Sequence, residues 1–161
     1  KTSDRVWSCV GWSYRNKLLD GTMTKRFEKE SDKKREHQAI TRFIKLRPHL
    51  KFKKLGPNQI DYKILNEQGL PVSYVEVKGR NKNINNAYPL PISASKVVKL
   101  CQPRLNPIII WACYDGIIYG EVTKLEGEFR WGGRKPREGA ANDQELMVYY
   151  PKQRGLKYLR Y

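Results

Sequence analysis

Val72-Ser73-Tyr74-Val75-Glu76-Val77-Lys78-Gly79-Arg80 is the stretch around which the rest of the chain can be placed. It alternates with the two-residue period of a strand and is rich in β-branched and aromatic residues, so Val75 and Val77 face one way while Glu76 and Lys78 share the opposite face. Upstream, Ile60-Asp61-Tyr62-Lys63-Ile64-Leu65 reads as a second strand. Asn66-Glu67-Gln68-Gly69-Leu70-Pro71 between the two carries turn residues, so the pattern predicts a β-hairpin. With Leu65 opposite Val72 across that loop, Asp61 stands opposite Glu76, their Cβ atoms roughly 5 Å apart. Two carboxylates that close repel unless one protonates, a cation neutralises both, or the register differs by a residue or two. The cation is the consequential case, because carboxylate oxygens are the ligands Mg²⁺ prefers and one or two of them, with water and a phosphate, typically complete its site. Lys78 beside the pair can hold or polarise a water.

At these residues the chain resembles the PD-(D/E)XK nuclease superfamily. Its signature is an acidic residue, a variable spacer, then Asp or Glu, any residue, and Lys on the next strand: here Asp61, then Glu76-Val77-Lys78. Ile60 stands where the signature often carries Pro. An acidic residue followed by Glu-x-Lys also arises by chance, and a solvent-facing Glu-Lys pair on an edge strand is the plain alternative. The resemblance implies a single α/β domain of restriction-endonuclease-like fold, with a central mixed β-sheet flanked by helices. It also implies Mg²⁺, with Mn²⁺ able to substitute, held by Asp61, Glu76 and the backbone carbonyl of Val77, while Lys78 positions and helps deprotonate an attacking water.

Composition points to the same partner. The 161 residues are 39% hydrophobic and 30% charged, which suits one folded domain, residues 1–161, with a real core. Lys and Arg number 32 against 16 Asp and Glu, and the resulting formal charge of +16 calls for a polyanion. No apolar stretch is long enough to span a bilayer and no clean basic amphipathic helix is present, so DNA is expected rather than a membrane. Cys9, Cys101 and Cys113 are far apart and form no zinc or CxxC pattern, which fits a reducing, intracellular setting. His37 and His49 have no evident partners for nucleophilic catalysis, and the absence of a P-loop or dinucleotide fingerprint argues against a nucleotide cofactor.

Residues 1–21 contain Trp7, Val10, Trp12, Tyr14, Leu18 and Leu19 and read as a segment packed onto the domain, with base stacking by the Trp residues as the alternative. Residues 24–46 show helical spacing through Phe27, Ala39, Ile40, Phe43 and Ile44, and Pro48 closes the helix. Glu36 falls on its apolar stripe and needs a partner there. The superfamily often carries a glutamate on its first core helix that reaches the metal, and Glu36 matches it, with Glu28 and Glu30 as nearby alternatives. Lys51-Phe52-Lys53-Lys54-Leu55 reads as the first strand. The polar loop after the hairpin brings Arg80 and Lys82 forward as phosphate contacts.

Ser93 or Ser95 can cap a short helix over residues 96–101. In the superfamily such a helix directs a Gln or Lys at the active site, and Lys96 matches it; the alternative is a surface lysine. Residues 107–114 form a continuous apolar run, the mark of a central strand buried on both faces, and Asp115-Gly116 turns it into residues 117–122. Residues 127–161 read as a basic C-terminal extension in which a loop, Phe129-Arg130-Trp131-Gly132-Gly133-Arg134-Lys135-Pro136-Arg137, offers Arg130, Trp131, Arg134, Lys135 and Arg137 to DNA; a solvated lid is the alternative. Leu146 begins a further strand running to residue 150.

These readings converge on a Mg²⁺-dependent DNA endonuclease, structure-dependent or weakly sequence-specific, of phage, repair or recombination type and able to act as a homodimer. A non-catalytic nucleic-acid-binding module on the same fold is the alternative. A basic scaffold protein of a nucleoprotein particle would explain the charge but not the strand context of Glu76-Val77-Lys78.

Overall fold

The computed structural model describes residues 29–57, 59–133 and 144–161. The first helix, α1 (Glu30–Lys45), turns Ala39, Ile40 and Phe43 inward. Glu30 and Asp32 in its first turn and Arg42 and Lys45 in its last complement the helix dipole. The expected start at residue 24 and the packed segment 1–21 lie outside the described residues, as does Glu28. Three strands follow: β1 (Lys51–Lys54), β2 (Tyr62–Leu65) and β3 (Pro71–Gly79). They form an antiparallel meander. The β2–β3 turn is built as its composition implies, because the Asn66 side chain accepts from the backbone N–H groups of Gln68 and Leu70 and Gly69 takes a positive φ of 78°.

The chain then passes through β4 (Leu90–Ser93) and α2 (Ala94–Cys101), and returns as β5 (Asn106–Ala112) parallel to β3. β6 (Gly116–Glu121) pairs antiparallel with β5, as Asp115-Gly116 implies. Gly116 has φ 156°, and a Cβ there would run into the Leu159 carbonyl of the last strand. β7 (Glu128–Gly133), β8 (Gln144–Tyr150) and β9 (Lys157–Arg160) complete the fold. The main sheet has the order β1-β2-β3-β5-β6-β9, and β4-β8-β7 make a second sheet. The described residues of the stretch 127–161 contribute β9 to the main sheet and β7 and β8 to the second. The reading of residues 129–133 as loop is corrected, since they belong to β7 and pair with β8.

Two cores lie on opposite faces of the main sheet. Val75 and Val77 pack with Ala39, Ile40 and Phe43 of α1 on one face. Tyr74 packs with Leu100, Trp111, Val148 and Tyr150 on the other, beneath α2 and the second sheet. β5 is buried on both faces and sits next to the centre of the sheet, in line with its apolar run. The result is a single α/β domain with a mixed sheet between helices. Among the described residues no helix is long and apolar enough to cross a membrane.

Candidate active site

The β2–β3 ladder pairs Tyr62 with Val75, Lys63 with Tyr74 and Ile64 with Ser73, the register read from sequence. It slips at the turn, where Leu65 pairs with Pro71 instead of Val72. One step beyond Tyr62 the same register brings Asp61 to Glu76, but β2 has already bent away from β3 there. Asp61 fills the gap with its side chain: Oδ2 accepts from the Val77 backbone N–H at 2.9 Å. Its own carbonyl accepts from Leu55 N–H at 2.9 Å, which ties the bend to the end of β1. In a strand the N–H and C=O of one residue point to the same side, so the Val77 carbonyl faces the edge that Asp61 caps.

Glu76 shares the Tyr74 face of β3 and is buried, only 4% exposed. Its Oε1 accepts from Lys96 Nζ, and Lys96 stands on the first turn of α2, where Ser93 Oγ accepts from the Lys96 backbone N–H at 3.3 Å. Thus Ser93, rather than Ser95, caps the helix that aims Lys96. Burial and then the neighbouring Asp61 charge push the Glu76 carboxyl up to about 7, and Lys96 offsets part of that rise. Lys96 is itself desolvated, which lowers its pKa, but Glu76 foremost, with Asp61 and Glu36, raises it above the ordinary lysine value. Lys96 thus answers Glu76 directly, while the neighbouring Asp61 makes the ionised form of Glu76 costly. A hard divalent cation suits this set: two carboxylates and a backbone carbonyl supply oxygen donors, and water and phosphate can supply the rest. Among the described residues no three His, Cys, Asp or Glu side chains gather as a metal cage.

Lys78 lies two residues beyond Glu76 on the same face, half-buried, opposite Trp111 of β5. Glu36 faces inward from α1, its side chain 12% exposed, and accepts from Lys54 Nζ at 2.9 Å. Lys54 lies 4.9 Å from the Tyr62 ring centroid. The fields of Glu36 and Asp61 both raise Lys54, against the lowering effect of its burial. Lys54 and Tyr62 were not singled out from the sequence. The β1–β2 register pairs them, and carrying that register one step past the hairpin would have found them.

The expected DNA contacts scatter. Arg80 turns inward, its Nε donating to the Ala87 carbonyl at 2.8 Å and its guanidinium reaching the Pro89 carbonyl at 3.4 Å, so it braces the loop before β4. Lys82 is exposed. Arg130 is exposed beside Glu128 and over the Tyr149 ring, and Trp131 is exposed on β7. Arg134, Lys135 and Arg137 lie outside the described residues.

A family model described as "Phage putative PDDEXK endonuclease" matches residues 22–155. No curated protein and no solved structure gives a significant match.

Proposed function

The chain belongs to this phage PDDEXK endonuclease family, and from that premise we propose that it is a divalent-metal-dependent endonuclease hydrolysing phosphodiester bonds in DNA, structure-dependent or weakly specific in its choice of substrate. The observation that carries the reading is the Asp61–Glu76 pair at the edge where β2 leaves β3, with Lys96 bonded to Glu76. Asp61, Glu76 and the Val77 carbonyl would hold Mg²⁺, or Mn²⁺ in its place. When bound, the ion supplies Lewis-acid stabilisation of charge on the phosphate and lowers the pKa of its water. Lys78 positions the attacking water and takes part in its deprotonation. Lys96 favours the ionised form of Glu76 and aims it. Glu36, held by Lys54, stands at the rim, and any part it takes in holding the metal runs through water. Lys82, Arg130 and Trp131, with Arg134, Lys135 and Arg137, supply contacts to DNA, and Arg80 acts by shaping the adjacent loop.

The Lys96–Glu76 bond also supports the second reading, a DNA-binding module in which the pair is structural. Incubating the protein with duplex, single-stranded, flapped and four-way DNA, with Mg²⁺, with Mn²⁺ and with EDTA, separates the two. The endonuclease reading requires cleavage with either metal and none with EDTA; binding without cleavage under every condition selects the module.

A further inference from the structure

The second sheet ends in a two-stranded ribbon. β4 pairs with β8 only from Met147 to Tyr150, whereas β7 and β8 stay paired out to Gly133 and Gln144. The two faces of the ribbon differ. On one, Tyr149 lies across Gly132, where a Cβ would meet its hydroxyl at 2.5 Å, and the Arg130 guanidinium sits 4.4 Å from the Tyr149 ring centroid. That face is covered by its own side chains. On the other, Phe129 is 64% exposed, Trp131 is 79% exposed, and Leu146, directly across from Trp131, is 38% exposed. At the base of the ribbon this same face delivers Val148 and Tyr150 into the core. The apolar pattern thus continues past the point where the core ends, leaving large aromatic surface in solvent.

The spacing says what fits there. Phe129 and Trp131 are two residues apart on one strand face, so their side chains stand about 6.8 Å apart along the strand. That spacing matches two stacking layers of about 3.4 Å, so flat rings borne on a strand can lie against both side chains. In a chain with a formal charge of +16, a flat ring carried on a polyanion is a nucleobase. A base inside a duplex already has both faces stacked, so only an unpaired base can enter.

We propose that the Phe129–Trp131 face of the β7–β8 ribbon is a stacking platform for unpaired nucleobases, which makes DNA with single-stranded character the preferred substrate. The platform is tied to the candidate site, because β8 pairs with β4 and the last residue of β4, Ser93, caps the helix that carries Lys96. The substrate preference rests on the endonuclease reading; the binding does not.

The test measures binding of the full chain in EDTA to fluorescent single-stranded and duplex DNA of one length and sequence, alongside cleavage in Mg²⁺. The ratio of single-strand to duplex affinity should exceed one. Phe129→Ala or Trp131→Ala should each lower that ratio at least about fivefold, with Trp131→Phe restoring most of it, because stacking needs a ring and not an indole. Unaltered melting temperatures verify that these exposed positions leave the fold intact. A ratio that does not change in the alanine variants overturns the platform, and so does a dimer-to-monomer conversion of Trp131→Ala in sedimentation, which would assign the face to a second copy. A lowered ratio without any metal-dependent cleavage would instead remove the endonuclease reading and leave the platform standing.

Discussion

Two lysine–glutamate pairs lie on either side of Asp61, and they differ in ways the sequence does not advertise. Lys54 and Glu36 join β1 to α1, with Lys54 53% exposed and its ammonium open to water. Lys96 and Glu76 join α2 to β3, with the carboxylate almost wholly desolvated and Asp61 beside it. The chemistry of each pair is the same. What separates them is the second carboxylate: Lys96 is as exposed as Lys54, 51% against 53%, but Glu76 is buried deeper than Glu36 and has Asp61 beside it. An ordinary ion pair holds elements together, but a buried acid with a second acid beside it favours a bound cation.

The sharpest way to break the comparison is to remove a carboxylate from the site of the second pair. Asp61→Asn or Glu76→Gln should reduce metal-dependent cleavage at least about a thousandfold, roughly 4 kcal/mol in the barrier, while DNA binding survives or tightens as negative charge near phosphate is lost. Cleavage assays on a radiolabelled junction would register this. Near wild-type turnover in either variant would mean that the wrong acids have been assigned.

A second contrast uses pH on the metal-free protein. Unfolded, Glu76 releases its proton near the ordinary 4.5; folded, near 7. Its contribution to stability is therefore complete below 4.5 and is lost as pH rises through about 7, a change of roughly 3 kcal/mol. Melting temperature in EDTA should decline from pH 5 to pH 8 for this reason, and Glu76→Gln should flatten the decline. Saturating Mg²⁺ should flatten it too, since a bound cation favours the ionised form. Equal slopes for wild type and Glu76→Gln would show that the carboxyl titrates normally.

How much of this was legible in the sequence follows from range. The β2–β3 register needed only a period-two pattern and a turn, so it was readable as far as Ile64, and the slip at Leu65 was not, because a bulge depends on how the strand meets its other neighbours. Lys96 could be placed only through the family resemblance, since nothing local aims a helix at a strand twenty residues earlier. β4 escaped notice because it is four residues long and contains Pro91, which an edge strand tolerates. β7 read as loop because Gly132, Gly133 and the exposed aromatics lack the alternation of a half-buried strand. The Lys54–Glu36 pair depends on α1 packing across β1, a tertiary contact with no sequence signature.

The two lysines allow a finer comparison. Lys96→Met removes the group that offsets the rise in Glu76, so the carboxyl should hold its proton to higher pH, and the pH of half-maximal cleavage should move upward. Lys54→Met takes away one partner of Glu36 and leaves the Lys96–Glu76 bond untouched, so the pH profile should stay in place. Profiles of single-turnover rate in Mn²⁺ would decide this, and identical profiles for the two variants would show that Lys96 does not act through Glu76.

The smallest effect is expected at Glu36, and it tests whether the first pair is truly separate from the site. Glu36→Gln keeps size and hydrogen-bonding capacity and removes only charge. Lys54 is half in solvent, so the pair contributes at most about 1 kcal/mol after screening, and the melting temperature in EDTA should drop by about 2–4 °C. If the charge of Glu36 serves only Lys54, the Mg²⁺ concentration for half-maximal cleavage should remain that of wild type. If it reaches a metal through water, the requirement should rise and the stabilisation by metal should shrink, even though Lys54 still occupies the carboxylate in the metal-free protein. The observed bond from Lys54 Nζ to Glu36 Oε1 favours the first outcome. A raised metal requirement with an unchanged melting temperature would reverse it, and would place both pairs inside one site with Asp61 at its centre.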